Sequence, residues 1–276
     1  MQTIIHGDCL DEMMEIPEES IDMILCDLPY GITACKWDTV IPFIPLWEHY
    51  NRIIKDNGAI VLFGSEPFSS ALRMSNIKNY KYDWVWEKQK ASNFIGAKHQ
   101  PLKHHEIISV FNVKGYNPQK YNVIEIEDIL SMTKKQLVDY HKNRNFDNFG
   151  VVDKRKNVNN ETSNKELIGS DITRIRNKDD GTRFPKSIIK INKEARNVHP
   201  TQKPVALFEY LIKTYTNEGD LVLDNCAGSF TTAIASENLK RNWICIEKEE
   251  EYCDIGRKRI TENRERLRIL DNKINK

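Results

Sequence analysis

The sequence predicts an α/β protein, a largely parallel sheet flanked by helices, interrupted by one long insertion. Three observations carry that expectation. Short apolar runs ending in Asp, Glu or Gly alternate with stretches of helical periodicity, as strand–helix–strand units do. Residues 112–197 break that rhythm and are rich in Asn, Lys, Arg and Asp. The length, 276 residues, and the balance of 39% hydrophobic to 29% charged residues suit a chain that buries a full core without disulfides or metals.

Seven runs read as strands: 3–6, 21–27, 59–64, 84–87, 106–111, 221–224 and 243–247. Between them, 43–54, 66–74, 205–215, 231–239 and 250–270 read as helices. The helix at 205–215 follows Pro204, a residue suited to a first turn, and sets Val205, Leu207, Phe208, Leu211 and Ile212 on one face. Inside the insertion only 128–140 has a helical pattern. The insertion holds 18 Lys and Arg against 12 Asp and Glu, net +6, while the rest holds 23 against 28, net −5. The near-neutral total of +1 therefore hides a basic module on an acidic scaffold. A nucleic-acid partner would produce that asymmetry, and so would a solvated insertion that touches nothing.

No apolar run approaches the roughly 18 residues of a membrane span, and the first residues lack the layout of an export signal. The six cysteines include no C-x-x-C pair, and Cys26 and Cys245 fall within strand-like runs. Buried, reduced thiols in a cytosol-like compartment are expected. Only His99, His104 and His105 cluster, which does not make a metal site.

Four segments carry chemistry. Asp27-Leu28-Pro29-Tyr30-Gly31 closes the second strand, at the sheet edge where open α/β sheets bind ligands. Pro29 and Gly31 force a turn there, which sets together a carboxylate, a backbone carbonyl and an aromatic ring. That set suits a flat ring bearing an amine, with Asp27 and the Leu28 carbonyl accepting from the amine and the Tyr30 face stacking on the ring; an ordinary strand-ending turn has the same composition. Asp224 to Thr232 runs from a buried strand through small residues into a helix start, the layout of a nucleotide-type cofactor site. It has neither the G-x-G-x-x-G fingerprint nor a P-loop, so a cofactor without phosphates fits better. Glu247 ends the next strand, where an acidic group commonly meets ribose hydroxyls, although it also opens a charged run. His199-Pro200-Thr201-Gln202-Lys203-Pro204 places one cation just before the helix at 205–215; as a rigid connector it would need no ligand.

Together these segments resemble the S-adenosylmethionine-dependent DNA amino-methyltransferases of the β type, the adenine-N6 and cytosine-N4 family. Asp27-Leu28-Pro29-Tyr30 matches the D-P-P-Y catalytic motif, and Asp224 to Thr232 matches the cofactor motif D-P-F-x-G-S-G-T-T. His199 to Pro204 is similar to the H-P-T-Q-K-P segment, and Gly7-Asp8-Cys9-Leu10 to the G-D-x-L opening. The resemblance covers 1–111 and 198–260. It implies a seven-stranded, circularly permuted Rossmann-like methyltransferase sheet, with a catalytic half at 1–111, an inserted target-recognition region at 112–197 and a cofactor half at 198–276. It implies S-adenosylmethionine at Asp8, Asp27, Lys203, Asp224, Cys226, Ala227, Gly228, Ser229, Phe230, Thr231, Thr232 and Glu247. Catalysis would fall to Asp27, Leu28, Pro29 and Tyr30.

Leu28 stands where the family has Pro, Cys226 where it has Phe, and Phe230 where it has Gly. Since the carbonyl at position 28 is the group in use, the Leu28 side chain should matter little. One reading has Phe230 filling the volume that Cys226 leaves. Trp37-Asp38 would either cap the base pocket or pack in the core.

The implied reaction is direct methyl transfer to the N6 amine of adenine, on a base flipped out of double-stranded DNA. Asp at position 27 favours adenine, because cytosine-N4 members more often carry Ser there. Methylation of cytosine C5 is excluded, since it needs a Pro-Cys nucleophile and the chain has none. A DNA-binding protein with a degenerate site and a nucleotide-dependent oxidoreductase are the other readings; the retained motifs oppose the first, and the missing glycine fingerprint opposes the second. Arg174, Arg176, Arg183 and Lys186, around a turn at Gly181, are the candidate DNA contacts. A bacterial cytoplasm, or that of a phage host, would be the setting, with a homodimer compatible and no membrane partner.

Overall fold

A computed structural model describes residues 1–32, 38–92, 94–122, 182–192 and 202–274. The chain forms two compact units: Met1–Asn117 with Ser187–Lys276, and Pro118–Lys186.

The main unit is built on one sheet. Its strands are β1 (Gln2–His6), β2 (Ile21–Cys26), β3 (Ile54–Gly64), β4 (Tyr80–Ser92), β5 (Lys103–Phe111), β8 (Ile188–Lys190), β9 (Leu221–Asp224) and β10 (Asn242–Glu247), in the order β1-β10-β9-β2-β3-β5-β4-β8. The helices are α1 (Cys9–Glu12), α2 (Phe43–Ile53), α3 (Phe68–Ser75), α4 (Val205–Tyr215), α5 (Thr231–Asn238) and α6 (Glu250–Ile274). Alternate strand residues face opposite sides. Met23, Leu25, Val61, Phe63, Trp84 and Trp86 bury one face against α4, α5 and α6. Ile24, Cys26, Ile60, Leu62, Leu223 and Ile244 bury the other against α1, α2 and α3.

All seven expected strands are present in this sheet, and two features differ from the expectation. β5 runs antiparallel to both β3 and β4, because only a short link joins β4 to β5 and a parallel crossover would need a dozen or more residues. An eighth strand, β8, pairs with β4 from within the stretch that composition assigns to the insertion. Ile189 and Ile191 are buried, and the Ile191 carbonyl accepts from the Trp86 indole at 3.0 Å. Residues 112–117 likewise belong to the main unit, where Asn117 N–H donates to the Thr214 carbonyl at 2.8 Å.

The second unit shows β6 (Tyr121–Asn122) paired antiparallel with β7 (Thr182–Arg183). Beside β7, Lys120 Nζ lies 4.9 Å from the Phe184 ring centroid. The helical pattern at 128–140 lies outside the described residues.

The strand order places the reversal of chain direction between β9 and β2. From β9 the chain passes through α5 to β10 and toward the β1 edge; from β2 it passes through α2 to β3 and toward the opposite edge. Such a switch point opens a crevice at the C-terminal ends of the strands. Asp27 and Asp224 leave the two strands that border it, and Glu247 ends β10 next door.

Candidate active site

A cavity of about 650 Å³ opens at this crevice. Its wall includes Asp8, Asp27, Leu28, Pro29, Tyr30, Lys203, Asp224, Cys226, Ala227, Gly228, Ser229, Thr231 and Glu247, so the expected catalytic and cofactor segments share one space. Of the expected cofactor residues, Phe230 and Thr232 are buried behind that wall.

The catalytic corner begins where β2 stops. Gly31 adopts φ +68°, and a Cβ there would meet Val40 Cγ2 at 2.9 Å, so the turn requires glycine. Asp38, almost fully buried, fastens it: its carboxylate accepts from Gly31 N–H at 2.8 Å and from Ile32 N–H at 3.0 Å. Asp38 thus braces the turn that follows Tyr30 rather than merely filling core; Trp37 lies outside the described residues. The Leu28 side chain is buried in the core, and the residue lines the cavity.

Both oxygens of Asp27 are engaged. The Tyr30 hydroxyl donates to Oδ1 at 2.5 Å, and Lys203 Nζ reaches Oδ2 at 2.5 Å. Burial, with the Asp27 charge beside it, pushes the Tyr30 phenol well above its ordinary value and keeps it a donor. Lys203 also pairs with Glu106 Oε2 at 3.1 Å, and Glu106 pairs through Oε1 with Lys88 at 3.4 Å. Burial opposes the charge on Lys203, but Asp27 and Glu106 outweigh it and hold the ammonium protonated well above its usual range. Burial likewise pushes Glu106 upward, and Lys203 and Lys88 together bring it below the usual carboxylate range.

The cofactor corner is held differently. Asp224, 3% exposed, accepts from Cys226 N–H at 3.1 Å and from the Thr232 hydroxyl, closing the loop onto the start of α5. Burial pushes its carboxyl up to about 7. Glu247 accepts from Gly228 N–H at 2.7 Å and Glu249 N–H at 2.9 Å, and burial raises it too. Gly228 adopts φ +49°, and a Cβ there would meet nothing within 4 Å. Asp8 caps α1 by accepting from Leu10 N–H at 3.0 Å and pairs with Lys248 at 3.1 Å.

Phe230 does not fill space left by Cys226. Its ring belongs to the core on the α4–α6 face, whereas Cys226 packs against the opposite face. The ring presses on α6 at Gly256, where a Cβ would come within 2.2 Å of it, and Phe230 itself sits in the left-handed region at φ 60°. Its fit on Gly256 offsets that unfavourable backbone state.

Four residues were not among the sequence candidates. Glu106 and Lys88 had no motif to mark them. Asn225 accepts from the buried Tyr50 hydroxyl at 2.5 Å and ties the cofactor loop to α2. Among the described residues no group of His, Cys, Asp and Glu could hold a metal ion. The thiols of Cys9, Cys26, Cys226, Cys245 and Cys253 are free. Of the remaining candidates, Arg183 and Lys186 fall in the second unit; Arg174, Arg176, His199 and Thr201 lie outside the described residues.

A family model described as DNA methylase matches residues 21–258. The DNA adenine methyltransferase YhdJ of Escherichia coli K12 is 29% identical over 277 residues, spanning 94% of this chain and 82% of that protein. The type II methyltransferase M.HinfI of Haemophilus influenzae is 26% identical, spanning 95% of this chain and 69% of that protein. Among solved structures, the M1.HpyAVI–SAM complex superposes with a TM-score of 0.56 at 22% identity, over 94% of this chain and all of that one. The PvuII cytosine-N4-specific DNA methyltransferase gives 0.60 at 15% identity, over 96% and 92%.

Proposed function

The chain belongs to the DNA methylase family, and we propose that it methylates the exocyclic N6 amine of adenine in double-stranded DNA, using S-adenosylmethionine. The observation that carries this reading is the single cavity shared by the Asp27–Tyr30 turn and the acidic ends of β1, β9 and β10. Asp at position 27 and the adenine-specific relative at 29% identity favour adenine over cytosine.

The residues fit the cofactor. Asp8, Asp224 and Glu247 offer acceptors to hydroxyl and ammonium donors, and their negative charge opposes a pyrophosphate. The space over Gly228 would take a group that any side chain there would displace. Asp8 and Glu247 would hold the nucleoside end and Asp224 the cationic amine end. When bound, the cofactor supplies an electrophilic methyl group on a sulfonium.

The protein's own task is to make a poor nucleophile react. The lone pair of an aromatic amine is delocalised into its ring. Asp27 and the Leu28 carbonyl, by accepting both amine hydrogens, draw them out of that plane and localise the lone pair on nitrogen. This is catalysis by positioning and electrostatics. Each carboxylate oxygen has a second acceptor site, so the bonds from Tyr30 and Lys203 leave Asp27 able to take the amine. Flipping the base costs a few kcal/mol, which the Tyr30 ring face and the pocket's hydrogen bonds offset. All of these groups come from one chain.

The second unit, Pro118–Lys186, would read the DNA sequence, with Arg183, Lys186, Arg174 and Arg176 as contacts. Neutralising a phosphate contact should lower the salt slope of DNA binding by about one, and a base-reading Arg should cost about 1–3 kcal/mol at one position of the site. No described helix is long and apolar enough to cross a membrane. A bacterial or phage-infected cytoplasm, in restriction–modification or a related role, is the setting this reading implies. Methylome sequencing of cells expressing the wild type and Asp27→Ala tests the whole proposal. N6-methyladenine at a defined motif, lost in the variant, is expected; methyl groups on cytosine, or none, would overturn it.

A further inference from the structure

We propose that Lys203, gripped in turn by Glu106, is a positioning residue that fixes the aim of the Asp27 carboxylate at the target amine. The inference rests on Asp27 as the amine's acceptor and adds to it two residues that the reaction itself does not name.

Asp27 stands on a turn, with its side chain 27% exposed, and among the described residues of the turn the Tyr30 hydroxyl restrains that carboxylate at Oδ1. The second restraint comes from far along the chain. Lys203 leaves the segment before α4, passes into the cavity wall with its side chain 9% exposed, and places Nζ between Asp27 Oδ2 at 2.5 Å and Glu106 Oε2 at 3.1 Å. The Phe63 and Tyr30 rings flank the same nitrogen, at 5.3 and 5.8 Å from their centroids. A buried ammonium is costly without partners, so Lys203 cannot swing away while both carboxylates remain. Glu106, on β5, is held at its other oxygen by Lys88 from β4, and Lys88 also donates to Ser92 at 2.9 Å.

The chain Lys88–Glu106–Lys203–Asp27 thus alternates in sign. It links the β4–β5 pair to the end of β2. It fixes one oxygen of Asp27 while Tyr30 fixes the other, which leaves the carboxylate a single orientation. A 1 Å misplacement of a reacting group can cost about 100-fold in rate, so an anchor of this kind matters to turnover. If Lys203 instead gripped the cofactor, its loss would appear in cofactor affinity.

The test compares Lys203→Met, Lys203→Arg, Glu106→Gln and the double variant Lys203→Met/Glu106→Gln with wild type and Asp27→Ala. For each, kcat and KM on duplex DNA, the Kd of S-adenosylmethionine by calorimetry and the melting temperature are measured. Lys203→Met should lower kcat by about 100-fold while the cofactor Kd stays at its wild-type value. Lys203→Arg should recover most of that loss, because a guanidinium can bridge two carboxylates. Glu106→Gln should lower kcat less. Added to Lys203→Met, it should raise activity above that of the single variant, since two carboxylates would no longer face each other without a cation. Wild-type kcat in folded Lys203→Met, or a change confined to cofactor Kd, would overturn the proposal. Should that variant not fold, Lys203→Arg and Glu106→Gln decide alone: wild-type kcat in Glu106→Gln would overturn it. Activity retained by Asp27→Ala would instead remove the reading beneath it.

Discussion

Both corners of the cavity present carboxylates, buried in the cofactor corner and partly exposed at Asp27 in the catalytic corner, and they hold them by different means. Asp224 and Glu247 are held by groups of their own neighbourhood, the N–H groups of Cys226, Gly228 and Glu249 and the Thr232 hydroxyl. Asp27 is held by side chains, Tyr30 from three residues away and Lys203 from the other end of the chain. Backbone restraint is set once the loop forms and leaves little to adjust. Restraint of Asp27 instead depends on partners that the fold brings from distant segments. The corner that binds is therefore held locally, and the corner that reacts is held by a chain of ion pairs across the sheet.

Substitutions can break or sharpen that contrast. The largest effect should come from Asp27→Ala: a loss of about 1,000-fold or more in labelled-methyl transfer, with cofactor affinity preserved. Activity within tenfold of wild type would contradict the assignment of the reacting corner. Next, Asp224→Ala and Glu247→Ala should each weaken S-adenosylmethionine binding by about 10- to 100-fold, the scale of one charged hydrogen bond. Calorimetry showing unchanged affinity in both would move the cofactor elsewhere. Tyr30→Phe keeps the ring but loses the bond to Asp27, so kcat should fall by about tenfold; a ring that acts by stacking alone would leave kcat near its wild-type value.

Smaller effects concern stability. Gly256→Ala should cost about 1–3 kcal/mol in denaturant unfolding, and less when combined with Phe230→Ala, which empties the space the new methyl needs. Asp224 titrates near 7 in the folded protein, above the value of about 4 for an unfolded Asp. The folded state therefore holds this proton to higher pH than the unfolded chain does. Stability from this group is full below about 4 and is lost as pH rises through about 7. Asp224→Asn should flatten the melting temperature across that window. A parallel pH dependence in the variant would show that another group is responsible.

Much of this architecture is legible in the residues, for reasons that follow from range. The seven expected strands and the five expected helices of the main unit announce themselves because each is a local pattern several residues long, whereas the four-residue α1 does not. The helix at Val205–Tyr215 even begins and ends where periodicity places it. Asp224, Gly228 and Glu247 are legible for the same reason, since their partners are close by in chain or sheet. β8 escapes detection because three residues of alternation do not stand out from a polar stretch. The reversed direction of β5 escapes because an apolar run has no polarity. Glu106 looks like one more charge after two histidines, and Asp38 like a polar residue beside a Trp. What makes each matter is a partner brought by the fold, which no local pattern encodes.

The order of strands has a consequence for how the protein is made. β1 has β10 as its strand partner, so Gln2 waits for Trp243, about 240 residues later. β2 pairs early with β3, but its other partner, β9, also comes from the last quarter of the chain. On the ribosome, β1 and one side of β2 consequently stay unpaired until β9 and β10 have emerged. Unpaired, apolar edges are the species most prone to aggregate or recruit chaperones. A truncated product ending before β9 would carry the whole reacting turn on an unfinished sheet. The cavity is complete only when β9 and β10 join β1 and β2 in the sheet.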